Sequence, residues 1–193
     1  MASLARQTIA QMLAVPFASV VAGPRLTISL VDPICQAYVT GVPDSESFRA
    51  SVAKALGFAL PVAPNHIAGT LTRALWIAPG RWLVVSDDPV AGTLTMRLNE
   101  ALYLGGGFVS CMRDGMAVFD LSGPEVRQVL AMGCALDFEG VSMAPGRSAR
   151  TVFAGVNAIL YAHGSRQSYR FHVERSLARH VMEWLQKAAG AVG

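Results

Sequence analysis

Apolar residues follow two patterns along this chain. Tyr169, Phe171 and Val173 alternate with Arg170, His172 and Glu174, the period of two expected of a half-buried strand. Leu177, Val181, Trp184, Leu185 and Ala188 recur every three or four positions, the stripe of a helix packed on one side, with Ser176 as its cap. The same two periods place the other elements. Leu26 to Val31 predicts a strand ended by Asp32-Pro33, and Ala37 to Thr40 predicts another. Pro43-Asp44-Ser45 caps a helix with Phe48, Val52, Ala55 and Leu56 on one face and Gly57 at its end. Leu60 to Asn65 holds two prolines and cannot be regular structure. Leu75 to Ile77 and Trp82 to Val85 make a hairpin about Pro79-Gly80, the pair suited to the centre of a type II turn. Asp88-Pro89 opens a second helix with Leu94, Leu98, Ala101 and Leu102 inward, and Gly105-Gly106-Gly107 closes it.

The order then returns. A strand at Met116 to Phe119 leads into a short helix carrying Val126, Val129, Leu130 and a terminal Gly133. Ser122 and Glu125 have the spacing of a capping box for that helix, with Pro124 in its first turn. Met143 to Gly146 is irregular, like the earlier proline stretch. Three β-prone runs follow (Arg150 to Phe153, Asn157 to Tyr161, Tyr169 to Val173), and the closing helix comes last. Strand, helix, bend, hairpin and helix thus occur twice, about 80 residues apart. The fold class expected is α+β, a duplicated strand-helix-hairpin-helix unit. Residues 1–24 form an N-terminal arm, and residues 25–193 form a single domain of two similar halves, about 25–104 and 108–190.

Composition sharpens this. Apolar residues make up 52% of the chain and charged residues 15%, against about 25% charged in ordinary soluble domains. A membrane span does not explain it: the best apolar run, Met12 to Gly23, is short and contains Pro16. Nor does a secretory signal, because Gln7, Thr8 and Gln11 interrupt the stretch after Arg6. The remaining explanation is a subunit that hides apolar surface against partners and self-associates when isolated. The net charge is +3, and among the basic residues only Lys54 and Lys187 are lysines. Arginine is favoured at interfaces, although an arginine-biased genome explains the same count. Cys35, Cys111 and Cys134 show no CxxC spacing. They suit buried thiols in a reducing cytosol and not a disulfide frame or a zinc site.

Candidate chemistry is sparse. No dinucleotide fingerprint or phosphate loop is present, and Gly105 to Gly107 lacks both a preceding strand and a following lysine. His66, His163, His172 and His180 share no ligand spacing, so no metal site is expected. Asp87-Asp88 is accounted for as the cap before Pro89. Cys134 has no base near it in sequence. No catalytic residue is assigned. One charge pattern rises above the background: Val141 to Val173 has no acidic residue but carries Arg147, Arg150, Arg166 and Arg170. These four are the candidate contacts to an acidic partner surface or an anionic ligand. A solvated, charge-protected edge strand is the bland alternative. A nucleic-acid partner is not expected, because lysines are scarce and no aromatic-basic motif occurs.

Three motifs together resemble a known family. Leu60-Pro61-Val62-Ala63-Pro64-Asn65, Leu75 through Pro79-Gly80-Arg81-Trp82-Leu83, and Leu121-Ser122-Gly123-Pro124 leading to Gly133-Cys134-Ala135-Leu136-Asp137 look like the gamma subunit of heterotetrameric sarcosine oxidase. Pro145 to Thr151 and Tyr169 to Leu185 agree, so the resemblance runs from about Leu26 to Lys187. It implies a fold like the folate-binding domain of the glycine cleavage T-protein. It also implies a bacterial, cytoplasmic complex with alpha, beta and delta partners that oxidatively demethylates sarcosine to glycine. The products beside glycine are hydrogen peroxide and, when tetrahydrofolate is present, 5,10-methylenetetrahydrofolate. The implied cofactors are FAD, FMN, NAD and tetrahydrofolate in the complex, with none in this chain. T-proteins use an aspartate in their folate site, and the comparable stretch here, Gly155 to His163, has no carboxylate. The reading is therefore a non-catalytic gamma subunit that supports assembly. Its rival is a stand-alone folate-binding or one-carbon-transfer module, in which Arg147, Arg150 or Arg170 grips a carboxylate tail.

Overall fold

The computed structural model describes residues 21–192. Most of the expected arm, with the Met12 to Gly23 run up to residue 20, lies outside the described residues. Eleven strands and four α-helices are seen among the described residues: β1 (Val21–Ala22), β2 (Thr27–Val31), β3 (Cys35–Gly41), α1 (Glu46–Leu56), β4 (Ile67–Gly69), β5 (Thr72–Ala78), β6 (Arg81–Ser86), α2 (Leu94–Gly105), β7 (Gly107–Cys111), β8 (Met116–Ser122), α3 (Val126–Gly133), β9 (Ser148–Phe153), β10 (Val156–Ala162), β11 (Ser168–Glu174) and α4 (Ala178–Val192). They build two antiparallel sheets, ordered β1-β2-β8-β11-β10-β9 and β4-β5-β6-β3-β7.

The duplication is visible in these orders. The run β3-α1-β4-β5-β6-α2 has the same succession as β8-α3-β9-β10-β11-α4. Each sheet places its unit's first strand beside its last hairpin strand, β3 by β6 and β8 by β11. The fifth strand is exchanged: β7 completes the sheet of β3, whereas β2, before that unit in the chain, completes the sheet of β8. The two bends also meet. Ile67 N–H donates to the Gly146 carbonyl at 3.0 Å, and Ser148 N–H donates to the Asn65 carbonyl at 2.9 Å.

Three apolar layers result. Helices α3 and α4 pack on one sheet through Val126, Val129, Leu130, Val181 and Leu185. Helices α1 and α2 pack on the other through Phe48, Val52, Leu94 and Leu98. Leu75, Ile77, Leu83 and Val85 of one sheet meet Ile159 and Tyr161 of the other between them. Because strand residues alternate sides, strands enclosed by a helix layer and a second sheet bury both faces.

Local signals explain most boundaries. The Ser45 hydroxyl accepts from Phe48 N–H, and Gly57 ends α1 at φ +83°. Gly80 takes φ +69° in the two-residue turn between β5 and β6. The Asp88 carboxylate accepts from Val90 N–H, but what it caps is a 3₁₀ turn, Pro89–Thr93, ahead of α2.

Several expectations need correction. The Ser122 and Glu125 capping box does not form. Ser122 is the last residue of β8, paired with Thr27 and Ser168, and α3 starts at Val126 without a side-chain cap. The Glu125 carboxylate instead pairs with the Arg25 guanidinium, which β2 brings alongside, and a charged donor outcompetes a neutral cap. Ser176 sits inside a 3₁₀ turn, Arg175–Leu177, with α4 beginning at Ala178. Strands β4 and β7 were not anticipated. Strand β11 is not half-buried: Arg170 and His172 are buried as thoroughly as Phe171 and Val173, because the second sheet covers the face expected to meet water. Cys35 is buried and Cys134 partly so, but Cys111 is exposed on β7, which is an edge strand; all three are free thiols.

Candidate functional site

The polar residues that the sequence pattern assigned to a solvent face converge between the sheets. Asp120 on β8 and Arg170 on β11 are paired across the ladder, so their side chains project on one side of the sheet. Arg170 Nε and Nη2 donate to the two Asp120 carboxylate oxygens at 2.6 and 2.8 Å. Its Nη1 donates to Asp87, just beyond β6 in the opposite sheet, at 2.8 and 2.7 Å. Arg73 on β5 lies 3.5 Å from the same Asp87. Two cations thus face two carboxylates across the sheet interface.

The Arg170 side chain is 5% exposed, against 32% and 27% for Asp87 and Asp120. Burial alone would make this guanidinium easier to deprotonate, but the hydrogen-bonded Asp120 and the charge of Asp87 reverse the balance and raise its pKa. It stays charged and its donors are taken. Such an arrangement holds two sheets in register; it does not present a free cation to a ligand. Asp87-Asp88 therefore does two jobs: Asp88 caps the 3₁₀ turn, and Asp87 locks the sheets.

A histidine lies beside this network. His172 Nδ1 is 2.6 Å from Gln36 Oε1 on β3, and the Gln36 amide nitrogen donates to the Met112 carbonyl at 3.2 Å. The Gln36 oxygen must then accept, so His172 carries its proton on Nδ1 and leaves Nε2 as a bare acceptor. That nitrogen is buried without a hydrogen-bond partner. Burial, then the positive charge of Arg170, pushes the His172 pKa well down and keeps the ring neutral. Tyr161 stacks on it at 5.6 Å between centroids, and burial raises the Tyr161 phenol. His163 is shifted down by the same two causes, burial first and Arg170 second.

The four arginines singled out by sequence do not form one patch. Arg170 is the buried tie. Arg147, at the contact between the two bends, lies against His66. Arg147 Nη1 is 2.6 Å from His66 Nε2 and 2.9 Å from Nδ1, and the Pro64 carbonyl is 2.9 Å from Nδ1. Arg166 is exposed in the loop before β11 and donates to the Glu139 carbonyl at 3.2 Å. Arg150 is exposed on edge strand β9 and stands at the mouth of a cleft of about 90 Å³ between the sheets. His172, Glu174, Tyr38 and Gln36 were missed as site residues. The one signal was the polar half of the Tyr169 to Glu174 alternation, and sequence alone does not say that this half faces inward.

The folate reading can be tested on these residues. The β10 residues on the inter-sheet side include Ile159 and Tyr161, and β10 as a whole contains no carboxylate. Arg170 is already held by two aspartates, and the Arg150 cleft is far smaller than the roughly 300–1,000 Å³ typical of cofactor-sized pockets. These residues do not fit a folate. Among the described residues, no group of three His, Cys, Asp or Glu side chains is arranged to hold a metal, and no helix is long and apolar enough to cross a membrane.

The outer surface has a different character. Tyr103 and Leu104 at the end of α2 are each 87% exposed, and Phe108 on edge strand β7 is 78% exposed. They lie within Ala101 to Met112, a stretch without a single charged residue. Large exposed apolar side chains are a feature of protein–protein contact surfaces, and here Leu104 also lines a hollow with Lys54, Arg97 and Glu100.

Comparison with known proteins places the fold. One chain of the heterotetrameric sarcosine oxidase from Corynebacterium sp. U-96, solved in complex with pyrrole 2-carboxylate, matches with a TM-score of 0.84 and 29% identity, over 96% of this chain and 95% of that one. The glycine cleavage system aminomethyltransferase T from Bartonella henselae matches with a TM-score of 0.56 and 19% identity, over 84% of this chain and 46% of that one. The second likeness is one of fold alone, and it agrees with the duplicated α+β unit. No curated protein sequence matches. Residues 41–191 match the family model described as sarcosine oxidase, gamma subunit family, and the chain belongs to that family.

Proposed function

We propose that this chain is the non-catalytic gamma subunit of a heterotetrameric sarcosine oxidase and acts in a bacterial cytoplasm by supporting assembly with alpha, beta and delta subunits. The observation that carries the reading is the fit, nearly end to end on both sides, to one chain of an oxidase of that composition. The interior supports it. The charges of Arg170, Asp120 and Asp87 satisfy one another across two sheets, which stiffens a scaffold. On this reading FAD, FMN, NAD and tetrahydrofolate belong to the partner subunits. The complex oxidises sarcosine to glycine, yielding hydrogen peroxide and, with folate, 5,10-methylenetetrahydrofolate. The uncharged tract bearing Tyr103, Leu104 and Phe108 is the surface assigned to an apolar face of a larger subunit.

The test is copurification. A tagged copy of this chain is expressed with the other three subunits, and the assembly is assayed for yield, flavin absorbance and turnover of sarcosine. The expected result is an intact, active complex that fails to assemble or loses activity when this chain is omitted. Normal assembly and turnover of the other three without it would overturn the reading.

A further inference from the structure

The edges of the two sheets are unequal. An open edge invites a further strand unless it is short, charged or covered. β1 and β4 are two and three residues long. β9 carries the exposed Arg150, and the bends just before β4 and β9 pair with each other through His66 and Arg147. β7 has none of these protections. Its five residues, Gly107 to Cys111, include no charge and no proline, and its register with β3 runs without a bulge from Gly41↔Gly107 to Ala37↔Cys111. Among the described residues, no strand lies on its other side. The ladder shows what that side carries. Met112 N–H donates to the Gln36 carbonyl at 2.7 Å, whereas Gly41 N–H turns away from β7 to the Gly80 carbonyl at 3.0 Å. In an antiparallel pair, alternate residues turn both backbone groups to the same neighbour. Phe108 and Ser110 therefore bond β3, and Gly107, Val109 and Cys111 turn N–H and C=O outward.

Apolar side chains stand on both faces of this edge. Phe108 is on one face and exposed. Val109 is on the other, packed in part against the core under α1 and α2, and Tyr103 and Leu104 stand exposed at the end of α2, which covers that face. We propose that β7 takes an extended, uncharged segment of a larger subunit as the sixth strand of this sheet. The outward groups of Gly107, Val109 and Cys111 bond its backbone, and β-branched or aromatic side chains on the segment cover Phe108 on one face and Val109 on the other. The proposal rests on the gamma-subunit reading and states how that contact is made. A second copy of this chain fits less well. Paired on itself about Val109, β7 sets Phe108 against Ser110, and five residues a side are far short of the roughly 20–30 a side of a stable interface. A larger subunit has further surface to lay over Tyr103 and Leu104.

The test compares Val109→Pro with Val109→Ala in the tagged full chain, coexpressed with the other three subunits. Proline at this position removes an outward N–H and no bond to β3, which an edge strand tolerates; alanine keeps the backbone and trims the side chain. Val109→Pro is expected to lower the yield of copurified larger subunits at least about tenfold, and Val109→Ala to keep it within about twofold. Hydrogen exchange of the unsubstituted chain gives a second reading that needs no variant to fold. The Val109 and Cys111 amides should exchange at least about tenfold more slowly in the complex than in the free chain. Normal assembly of Val109→Pro overturns the proposal and leaves the gamma-subunit reading standing. So does exchange at residues 107–111 that assembly leaves unchanged, or a dimer of the isolated chain that Val109→Pro abolishes, since the edge then belongs to a second copy. Failure of the unsubstituted chain to copurify overturns both.

Discussion

Removing Arg170 while keeping its two aspartates tests the idea that this residue ties the sheets together. In Arg170→Met the volume is roughly kept, but four charge-assisted hydrogen bonds are lost, and Asp87 and Asp120 are left facing a gap with no cation between them other than Arg73. Breaking a buried ion pair from one side costs about 3–5 kcal/mol. Both carboxylates keep about a third or a quarter of their surface in water, which softens the penalty, so the lower end of that range, about 3 kcal/mol, is expected. For a chain of this length that corresponds to a fall in Tm of roughly 6–12 °C. Urea unfolding of the purified chain, followed by circular dichroism and by tryptophan fluorescence, measures the loss directly. The decisive comparison is the triple variant Asp87→Asn, Asp120→Asn, Arg170→Met. Replacing an entire buried ionic group is often near neutral, so the triple variant should recover most of what the single one loses. A loss below about 1 kcal/mol in Arg170→Met, or a triple variant no better than the single, would refute the reasoning.

Other consequences are open to measurement. His172 and His163 have pKa values lowered in the folded chain by burial first and Arg170 second, so below about pH 6.5 the unfolded chain binds more protons than the folded one. Their contribution is complete above that pH and is lost as pH falls. The urea midpoint should drop between about pH 7.5 and 5.5, and His172→Gln should flatten the drop; a flat wild-type profile refutes this. Other charged groups near these rings are Arg73, Asp87 and Asp120, the paired ones already described, together with Arg150 and Glu174 around the cleft that His172 lines. Phe108→Asp places a charge beside the exposed Tyr103 and Leu104 tract, and should reduce copurification with the larger subunits at least about tenfold without changing the Tm of the free chain by more than a degree or two. Gly133→Ala would push a methyl group into the Phe153 ring, which Phe171 and Trp184 already hold at 4.7 and 4.8 Å between centroids. Overpacking of this kind costs about 1–3 kcal/mol, and unfolding of that variant checks it.

What could be read from the sequence was what local residues decide. Ser45 and Gly57 bound α1 because a cap and a left-handed exit are settled within a few positions. The β5-β6 turn follows from Pro79-Gly80 for the same reason, and the second pass through the same order disclosed the duplication. What could not be read depends on neighbours far along the chain. Glu125 abandons its cap for Arg25, 100 positions away. Strand β7 has glycine at its start and an exposed Phe108, so it carries no buried alternation and is a strand only because β3 lies beside it. The candidate site was hidden in the same way. Arg170, His172 and Glu174 were correctly grouped on one face, but a polar face reads as solvent-exposed until a second sheet is known to cover it. Of the four basic candidates, charge counting could not distinguish Arg170, neutralised by two aspartates, from Arg150, which has none near it in an ion pair.

The exchanged fifth strand makes the two repeats inseparable. Only residues 32–34 join β2 to β3, and only residues 112–115 join β7 to β8, yet each joint passes from one sheet to the other. Cutting the chain at residues 112–115 would divide it at the natural seam between repeats, but it would not release two domains. The C-terminal piece would carry β8 with a bare edge where β2 belongs, and the N-terminal piece would carry β2 with no sheet to join. The two repeats are thus interlocked. The pieces should regain structure only when mixed, each supplying the strand or the sheet that the other lacks, and the chain should unfold as one cooperative unit despite its two cores.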